Sequence, residues 1–247
     1  MKREEYHIMY SLEDTYWWYI GLRRLVSHFI NQLNYKRKDL SILDAGCGTG
    51  GMLTYCKDYN SYGLDLSEDS IRFCKLRKLN NIIRGSVCDL PFKDNSFDIV
   101  ISLDVLCHRW VDDDLETLRR FYEIMKKDGL LVLNLPAYNF LISKHDKAVY
   151  AKRRYTLKVL KERVEGAGFE VQRITYRNSI LFPFALTKRI IERIFIEKET
   201  DVTSDLKPLP NPLNRLLTGI IYVENLLIKS GINLPFGLSV FCVARKR

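Results

Sequence analysis

At 247 residues, with 47% hydrophobic and 28% charged side chains, the chain has the make-up of one folded α/β domain with room for appended helices, and neither disorder nor a fibrous repeat is indicated. Its six cysteines form no C-x-x-C pair, which argues against a zinc knuckle or a disulfide framework. The formal charge of +9 would suit nucleic acid, an anionic membrane surface or an acidic substrate, yet it is gathered at Lys36-Arg37-Lys38, Lys152-Arg153-Arg154, Lys188-Arg189 and Arg245-Lys246-Arg247, whereas residues 94–116 are mainly acidic. The start, Met1-Lys2-Arg3-Glu4-Glu5, leads into no signal-like apolar core, and no run of about 18 apolar residues occurs, so a cytoplasmic, non-spanning protein is expected.

In chain order, residues 16–33 carry Trp17, Ile20, Leu25, Phe29 and Leu33 at helical spacing, which predicts an N-terminal helical cap. From Leu40 to Pro136 short apolar runs alternate with helix-compatible stretches, the pattern of β-α units feeding a parallel sheet. Strands are predicted at 41–43, 61–64, 81–84, 97–102 and 130–134. Helices are predicted at 51–57, 68–79 and 112–125, the last two with Ser67 and Asp112 as N-caps. A further helix at 156–167, closed by Gly166 and Gly168, precedes a sixth strand at 169–176. Helical stretches follow from 179 to 230, broken by Pro183 and by Pro208-Leu209-Pro210-Asn211-Pro212, and 238–244 supplies a last strand. The segments 181–196 and 213–229 are amphipathic and basic, fit to pack on the domain, to rest on a membrane surface or to cover a lipid-like acceptor.

The densest signal is Ile42-Leu43-Asp44-Ala45-Gly46-Cys47-Gly48-Thr49-Gly50, a strand running into a glycine loop. Glycine serves where the backbone takes positive φ or lies against a ligand. The G-x-G-x-G spacing lacks the second-turn glycine of dinucleotide folds and the lysine of a P-loop, so a nucleoside without phosphates fits better than a pyrophosphate; a tight structural turn is the alternative. Asp65, after the second strand, stands where a carboxylate accepts both ribose hydroxyls, and Asp89, after the third, where one accepts from an adenine amino group. Taken singly, either could be a solvated loop residue or a helix cap.

Leu43 to Gly50, then Gly63-Leu64-Asp65-Leu66-Ser67, Asp89-Leu90-Pro91-Phe92 with Asn95-Ser96-Phe97-Asp98, and Ser102-Leu103-Asp104-Val105-Leu106 resemble, in order, the successive motifs of class I S-adenosylmethionine methyltransferases, in the subtype that includes many small-molecule and quinone enzymes. The resemblance covers about residues 40–136. It implies a Rossmann-like, doubly wound, seven-stranded sheet, mostly parallel with an antiparallel last strand, divided as a cap (1–38), a cofactor core (39–178), a helical insertion (179–235) and the last core strand (236–247). It implies S-adenosylmethionine as cofactor and S-adenosylhomocysteine as product. Asp44 would orient the loop and the methionine end; Gly46, Cys47 and Gly48 would approach the cofactor; Asp65 with Leu66 would hold the ribose; Cys88, Asp89 and Leu90 would meet the adenine; Ser102 and Leu103 would line the floor.

Relatives often carry Glu-His after the fourth strand; here Cys107 replaces the glutamate and His108 remains, so a metal-assisted site is not expected. His108 is either a general base or a loop-ordering residue. Tyr16-Trp17-Trp18-Tyr19 with Gly21-Leu22-Arg23-Arg24 resembles a W-W-x-x-G-R segment of one methyltransferase branch, implying a lid in which Trp18 closes over a sulfonium and Arg24 pairs with the methionine carboxylate. His145-Asp146 and Arg153-Arg154-Tyr155-Thr156 resemble acceptor-pocket residues, with His145, Arg153, Arg154 and Tyr155 as candidates and guanidinium clamping of a phosphate or carboxylate as the expected chemistry. The expected reaction is transfer to an oxygen of a small-molecule or lipid- or glycan-linked acceptor, with peripheral membrane contact open to the basic helices. An RNA or protein methyltransferase and a non-catalytic cofactor-binding module are the rivals; nucleic acid is supported by charge alone.

Overall fold

The computed structural model of the chain describes residues 1–34, 39–195 and 206–247. The run Lys36-Arg37-Lys38 and residues 196–205 of the anticipated insertion lie outside the described residues, as do the side chains of Arg193, Ile194 and Phe195. Among the described residues seven strands form one sheet: β1 (Ser41–Ala45), β2 (Asn60–Asp65), β3 (Ile82–Arg84), β4 (Phe97–Leu103), β5 (Met125–Pro136), β6 (Phe169–Arg177) and β7 (Ser239–Lys246), in the order β3-β2-β1-β4-β5-β7-β6. The first five pair in parallel, and β7 runs antiparallel between β5 and β6. The expected mixed doubly wound sheet is therefore present.

Alternate residues of the central strands feed two cores, which is why those strands read as unbroken apolar runs. Leu43, Val100, Leu131, Leu133 and Cys242 pack on one face with Leu118, Phe121, Leu160 and Val164, which belong to α4 (Asp114–Ile124) and α6 (Leu157–Gly166). Ile42, Ile99, Ile101, Val132 and Phe241 pack on the other with Leu25, Val26, Ile30 and Ile228, from α2 (Trp17–Asn34) and α8 (Asn211–Lys229).

The crossover after β1 departs from the predicted helix at 51–57 and holds a single 3-10 turn at Leu53–Tyr55. The cause is visible in the second core, where Met52 and Cys56 lie beneath Leu22, Leu25 and Val26: α2 occupies the face that a crossover helix would cover. A helix that the periodicity had not predicted, α1 (Arg3–Leu12), precedes it. It has few aliphatic residues and is held by rings, with Tyr10 stacked on Phe73 at 4.7 Å and His7 edge-on to the same ring at 4.9 Å. Phe73 lies in α3 (Glu68–Leu76), which starts after Ser67 as anticipated. Helix α4 is capped one residue later than expected, by Asp113, whose carboxylate accepts from Leu115 N and Glu116 N at 2.9 and 3.1 Å. A short α5 (Lys144–Ala148) is closed by a capping box between Ser143 and Asp146. Pro183 does not interrupt a helix: it lies in the first turn of α7 (Phe182–Phe195), and Pro212 holds the same place in α8, where the missing N–H removes no helical hydrogen bond.

Candidate active site

Strand order reverses beside β1, between β2 and β4, and the connections leaving β1 and β4 diverge there to open a crevice. A cavity of about 670 Å³ occupies it, floored by the glycine loop and Asp65 and roofed by α1 and the start of α2.

Gly46 and Gly48 have φ of +91° and +55°. A Cβ on Gly46 would stand 2.2 Å from Val105 Cγ2, so the loop can lie against the turn after β4 only without a side chain. On Gly48 a Cβ would approach Met9 Cε of α1 at 2.6 Å. The N–H groups of Gly46 and Cys47 both donate to Leu64 O, at 2.7 and 3.0 Å. Asp65 accepts from Gly48 N and Ser67 N, each at 2.9 Å, and from the Tyr6 hydroxyl at 3.4 Å. An ionised carboxylate offers about four lone-pair sites, so Asp65 retains capacity for a ligand hydroxyl.

The far side of the loop is clamped. Arg77 donates to Glu13 Oε1 at 2.8 Å, to Asp14 at 2.9 Å and to Thr49 O at 2.8 Å, while the Thr49 hydroxyl donates to Glu13. Arg23 Nη1 donates to Gly51 O at 3.0 Å, and the side chain is buried with Nε and Nη2 lacking partners.

Electrostatics follow from burial. The Asp44 carboxyl is pushed up to about 8, chiefly by desolvation and then by Asp65 and Glu13. Asp104 is pushed up to about 6 by desolvation, opposed by Arg177, by a hydrogen bond from Asn134 Nδ2 at 3.0 Å and by Arg154. Desolvation, aided by the Met1 amino group, lowers His108 to about 4, so its imidazole is neutral near pH 7. The Cys47 thiol is raised by its contact with Cys74 and by burial, which leaves it unreactive.

Of the residues anticipated from sequence, the cavity brings together Asp44, Gly46, Cys47, Gly48, Asp65, Leu66, Leu103, Trp18, His108, His145 and Arg154. Others fall elsewhere. Cys88 and Asp89 are exposed, and Gly85, Ser86 and Val87 line the wall instead; Leu90 packs against the first core. Ser102 is fully buried under the loop, donating to Ala45 O at 3.0 Å. Arg24 is exposed, and Arg23 takes the inward position.

Nor do the two arginines after α5 present free clamps. Arg154 donates to both oxygens of Asp146, at 2.9 and 2.8 Å, and to Ala137 O at 3.0 Å. Arg153 donates to Val111 O and Asp112 O and lies 3.3 Å from Asp114. Tyr155 is buried with its hydroxyl on Asp114 Oδ2 at 2.8 Å. Arg153 and Tyr155 fasten the β5–α6 connection to the α4 start, and Arg154 ties that connection to itself. Sequence reasoning missed Glu5, Tyr6, Glu13, Tyr19 and Asp104, which all line the cavity. Asp104, next to Ser102-Leu103 at the end of β4, and Tyr19, inside the Tyr16-Trp17-Trp18-Tyr19 run, carried a positional signal.

Residues 43–133 match the family described as "Methyltransferase domain". The chain is 30% identical over 148 residues to an uncharacterised protein of Methanocaldococcus jannaschii, covering 59% of this chain and 60% of that one. It is 29% identical over 159 residues to phosphoethanolamine N-methyltransferase 3 of Arabidopsis thaliana, covering 58% and 31%. The chain thus spans less than two thirds of the length of these curated relatives. Among solved structures, S-adenosylmethionine-dependent methyltransferases of Thermotoga maritima (TM-score 0.60, 19% identity, 99% and 96% covered) and Archaeoglobus fulgidus (TM-score 0.57, 22% identity, 91% and 94% covered) share the fold.

Proposed function

We propose that this chain, whose core is a class I methyltransferase domain, transfers a methyl group from S-adenosylmethionine to a small-molecule acceptor enclosed in the cavity at the β1–β4 switch point. One observation carries this reading: the glycine loop, Asp65 and Arg23, a buried guanidinium with two unpartnered nitrogens, all line the same cavity. They fit the cofactor in order. Asp65 suits ribose hydroxyls, the walls at Ser86 and Val87 suit the adenine, and Arg23 suits the methionine carboxylate, a charge-assisted pairing. When bound, S-adenosylmethionine supplies an electrophilic sulfonium methyl and leaves as S-adenosylhomocysteine.

The chain's own residues then position and desolvate. Helix α1 and Trp17, Trp18 and Tyr19 of α2 cover the space and exclude water, and alignment of donor and acceptor accounts for much of the acceleration. His108 lines the cavity with Nδ1 unpartnered and, being neutral, can accept a proton or a hydrogen bond from an acceptor hydroxyl. This supports the oxygen acceptor expected from sequence. Relatedness to an N-methyltransferase and the acidic lining of the cavity support nitrogen, developed below.

For a lipid- or glycan-linked acceptor, the supporting feature is the rim. Ala185 and Arg189 of α7 border the cavity, while Phe184 on that helix and Leu216 and Val223 on α8 are exposed beside Lys188 and Arg215, a surface suited to peripheral membrane contact. Among the described residues, no helix is long and apolar enough to cross a membrane. On this reading the described residues of 1–38 and 179–235 cover the core formed by 39–178 and 236–247. The test is calorimetric binding of S-adenosylhomocysteine together with labelled methyl transfer into fractionated extract. Binding with label in a small-molecule or lipid fraction is expected; no binding would overturn the reading, and label confined to nucleic acid would overturn the acceptor class.

A further inference from the structure

Once the cofactor's contacts are assigned, two carboxyl groups of the cavity remain outside any ion pair among the described residues, with Asp104 feeling Arg177 and Arg154 and Glu5 the Met1 amino group only at longer range. Among the described residues six carboxyl groups line it, those of Glu5, Glu13, Asp44, Asp65, Asp104 and Asp146, with Asp44 pushed up to about 8 and so mostly neutral near pH 7. Asp146 is paired with Arg154, Glu13 with Arg77, and Asp65 is held by backbone N–H groups. Asp44 lies at the loop, at the methionine end. That leaves Glu5 and Asp104.

Glu5 lies on the inner side of α1, 4% exposed, with Oε2 buried and unpartnered. An orphaned carboxylate oxygen in a closed space is costly unless a ligand supplies a donor. Asp104 follows β4 with φ of +59°, its N–H bonded to Asn134 O at 2.7 Å and its Oδ1 to Asn134 Nδ2. The left-handed backbone and both bonds fix where the carboxylate sits. Tyr19 and Trp18 line the same cavity as Glu5 and Asp104 and supply aromatic faces there. Carboxylates flanked by aromatic faces recognise an organic cation. An anionic acceptor would meet repulsion here, because Arg153 and Arg154 are already engaged.

We infer that Glu5 and Asp104 form an ammonium-binding site and that the acceptor is a primary or secondary amine, methylated on nitrogen. This rests on the reading of the chain as an S-adenosylmethionine-dependent methyltransferase. The bound ammonium gives one proton to the Asp104 or Glu5 carboxylate, which frees the nitrogen lone pair. That pair forms the N–CH3 bond as the S–CH3 bond breaks, its electrons staying on sulfur. The product is an N-methyl ammonium with S-adenosylhomocysteine, and the carboxyl proton leaves to water, so one proton is released per turnover.

The test uses the full chain loaded with S-adenosylhomocysteine and a graded set of amines, from ethylamine through 2-phenylethylamine to tryptamine, each paired with the alcohol of the same skeleton. Calorimetry should show at least one amine binding roughly tenfold or more tighter than its alcohol, the worth of one charge-assisted hydrogen bond. Glu5→Gln and Asp104→Asn should each remove that preference while S-adenosylhomocysteine affinity stays within about twofold. If the cofactor product binds but no amine is preferred over its alcohol, or if both variants keep the preference, the amine assignment is wrong. If S-adenosylhomocysteine itself does not bind, the methyltransferase reading fails instead.

Discussion

Arg23 Nη1 donates to the carbonyl of Gly51 across 28 positions of sequence, at 3.0 Å, which draws α2 onto the far end of the glycine loop; the residue lines the cavity, and its buried Nε and Nη2 are unpartnered. Its neighbour Arg24 is exposed. Arg23→Ala should therefore weaken S-adenosylhomocysteine binding about tenfold to a hundredfold, the worth of a hydrogen bond to a charged group, and Arg24→Ala should not. Calorimetry on the two variants decides; equal losses would remove Arg23 from the carboxylate assignment.

Asp65 joins the loop and the ribose position through one carboxylate. Asp65→Asn keeps an oxygen for the Gly48 or Ser67 N–H but halves the acceptor capacity, so cofactor-product affinity should fall roughly tenfold, and further in Asp65→Ala. Unchanged affinity in Asp65→Ala would show that the ribose is held elsewhere.

Asp44, at about 8, is mostly protonated near pH 7. A cationic methionine end bound beside it favours the carboxylate. Binding of S-adenosylmethionine near pH 7 should release a fraction of a proton, and the release should vanish near pH 10, where Asp44 is already ionised, and in Asp44→Asn. Calorimetry in buffers of different ionisation enthalpy measures it; release that persists in the variant would assign the proton to another group.

His108 falls to about 4 from an ordinary 6.5. Folding thus favours the neutral ring. Its contribution is complete above about pH 6.5 and is lost as pH falls toward 4, because the unfolded chain takes up the proton first. Denaturant unfolding should show a steeper loss over that window in the parent than in His108→Gln. The same variant should lower kcat about a hundredfold or more if the ring takes the acceptor proton, with cofactor affinity retained; an unchanged kcat would leave it a loop residue.

Arg154 and Asp146 are both nearly buried, at 11% and 5% side-chain exposure. Removing one partner strands the other, so Arg154→Ala should cost about 3–5 kcal/mol of stability. An acceptor clamp would instead raise KM without lowering the unfolding midpoint.

The sequence by itself determined the sheet, the glycine loop and Asp65. Those depend on local rules: strands buried on both faces read as apolar runs, and a loop pressed against Val105 admits only glycine at position 46. Tertiary structure alone decided what covers the loop. Helix α1 is held by rings and by a Glu13–Arg77 contact 64 residues long, which leaves no aliphatic periodicity to read. The choice between Arg23 and Arg24 turned on about 100° of helix rotation, which packing on Met52 and Gly51 sets. Likewise Arg153, Arg154 and Tyr155 have the residue types of an anion clamp, but Asp114, Asp146 and the backbone carbonyls around them take up their donors first. Residue type shows what a side chain can bind; its neighbours in space decide what it does bind.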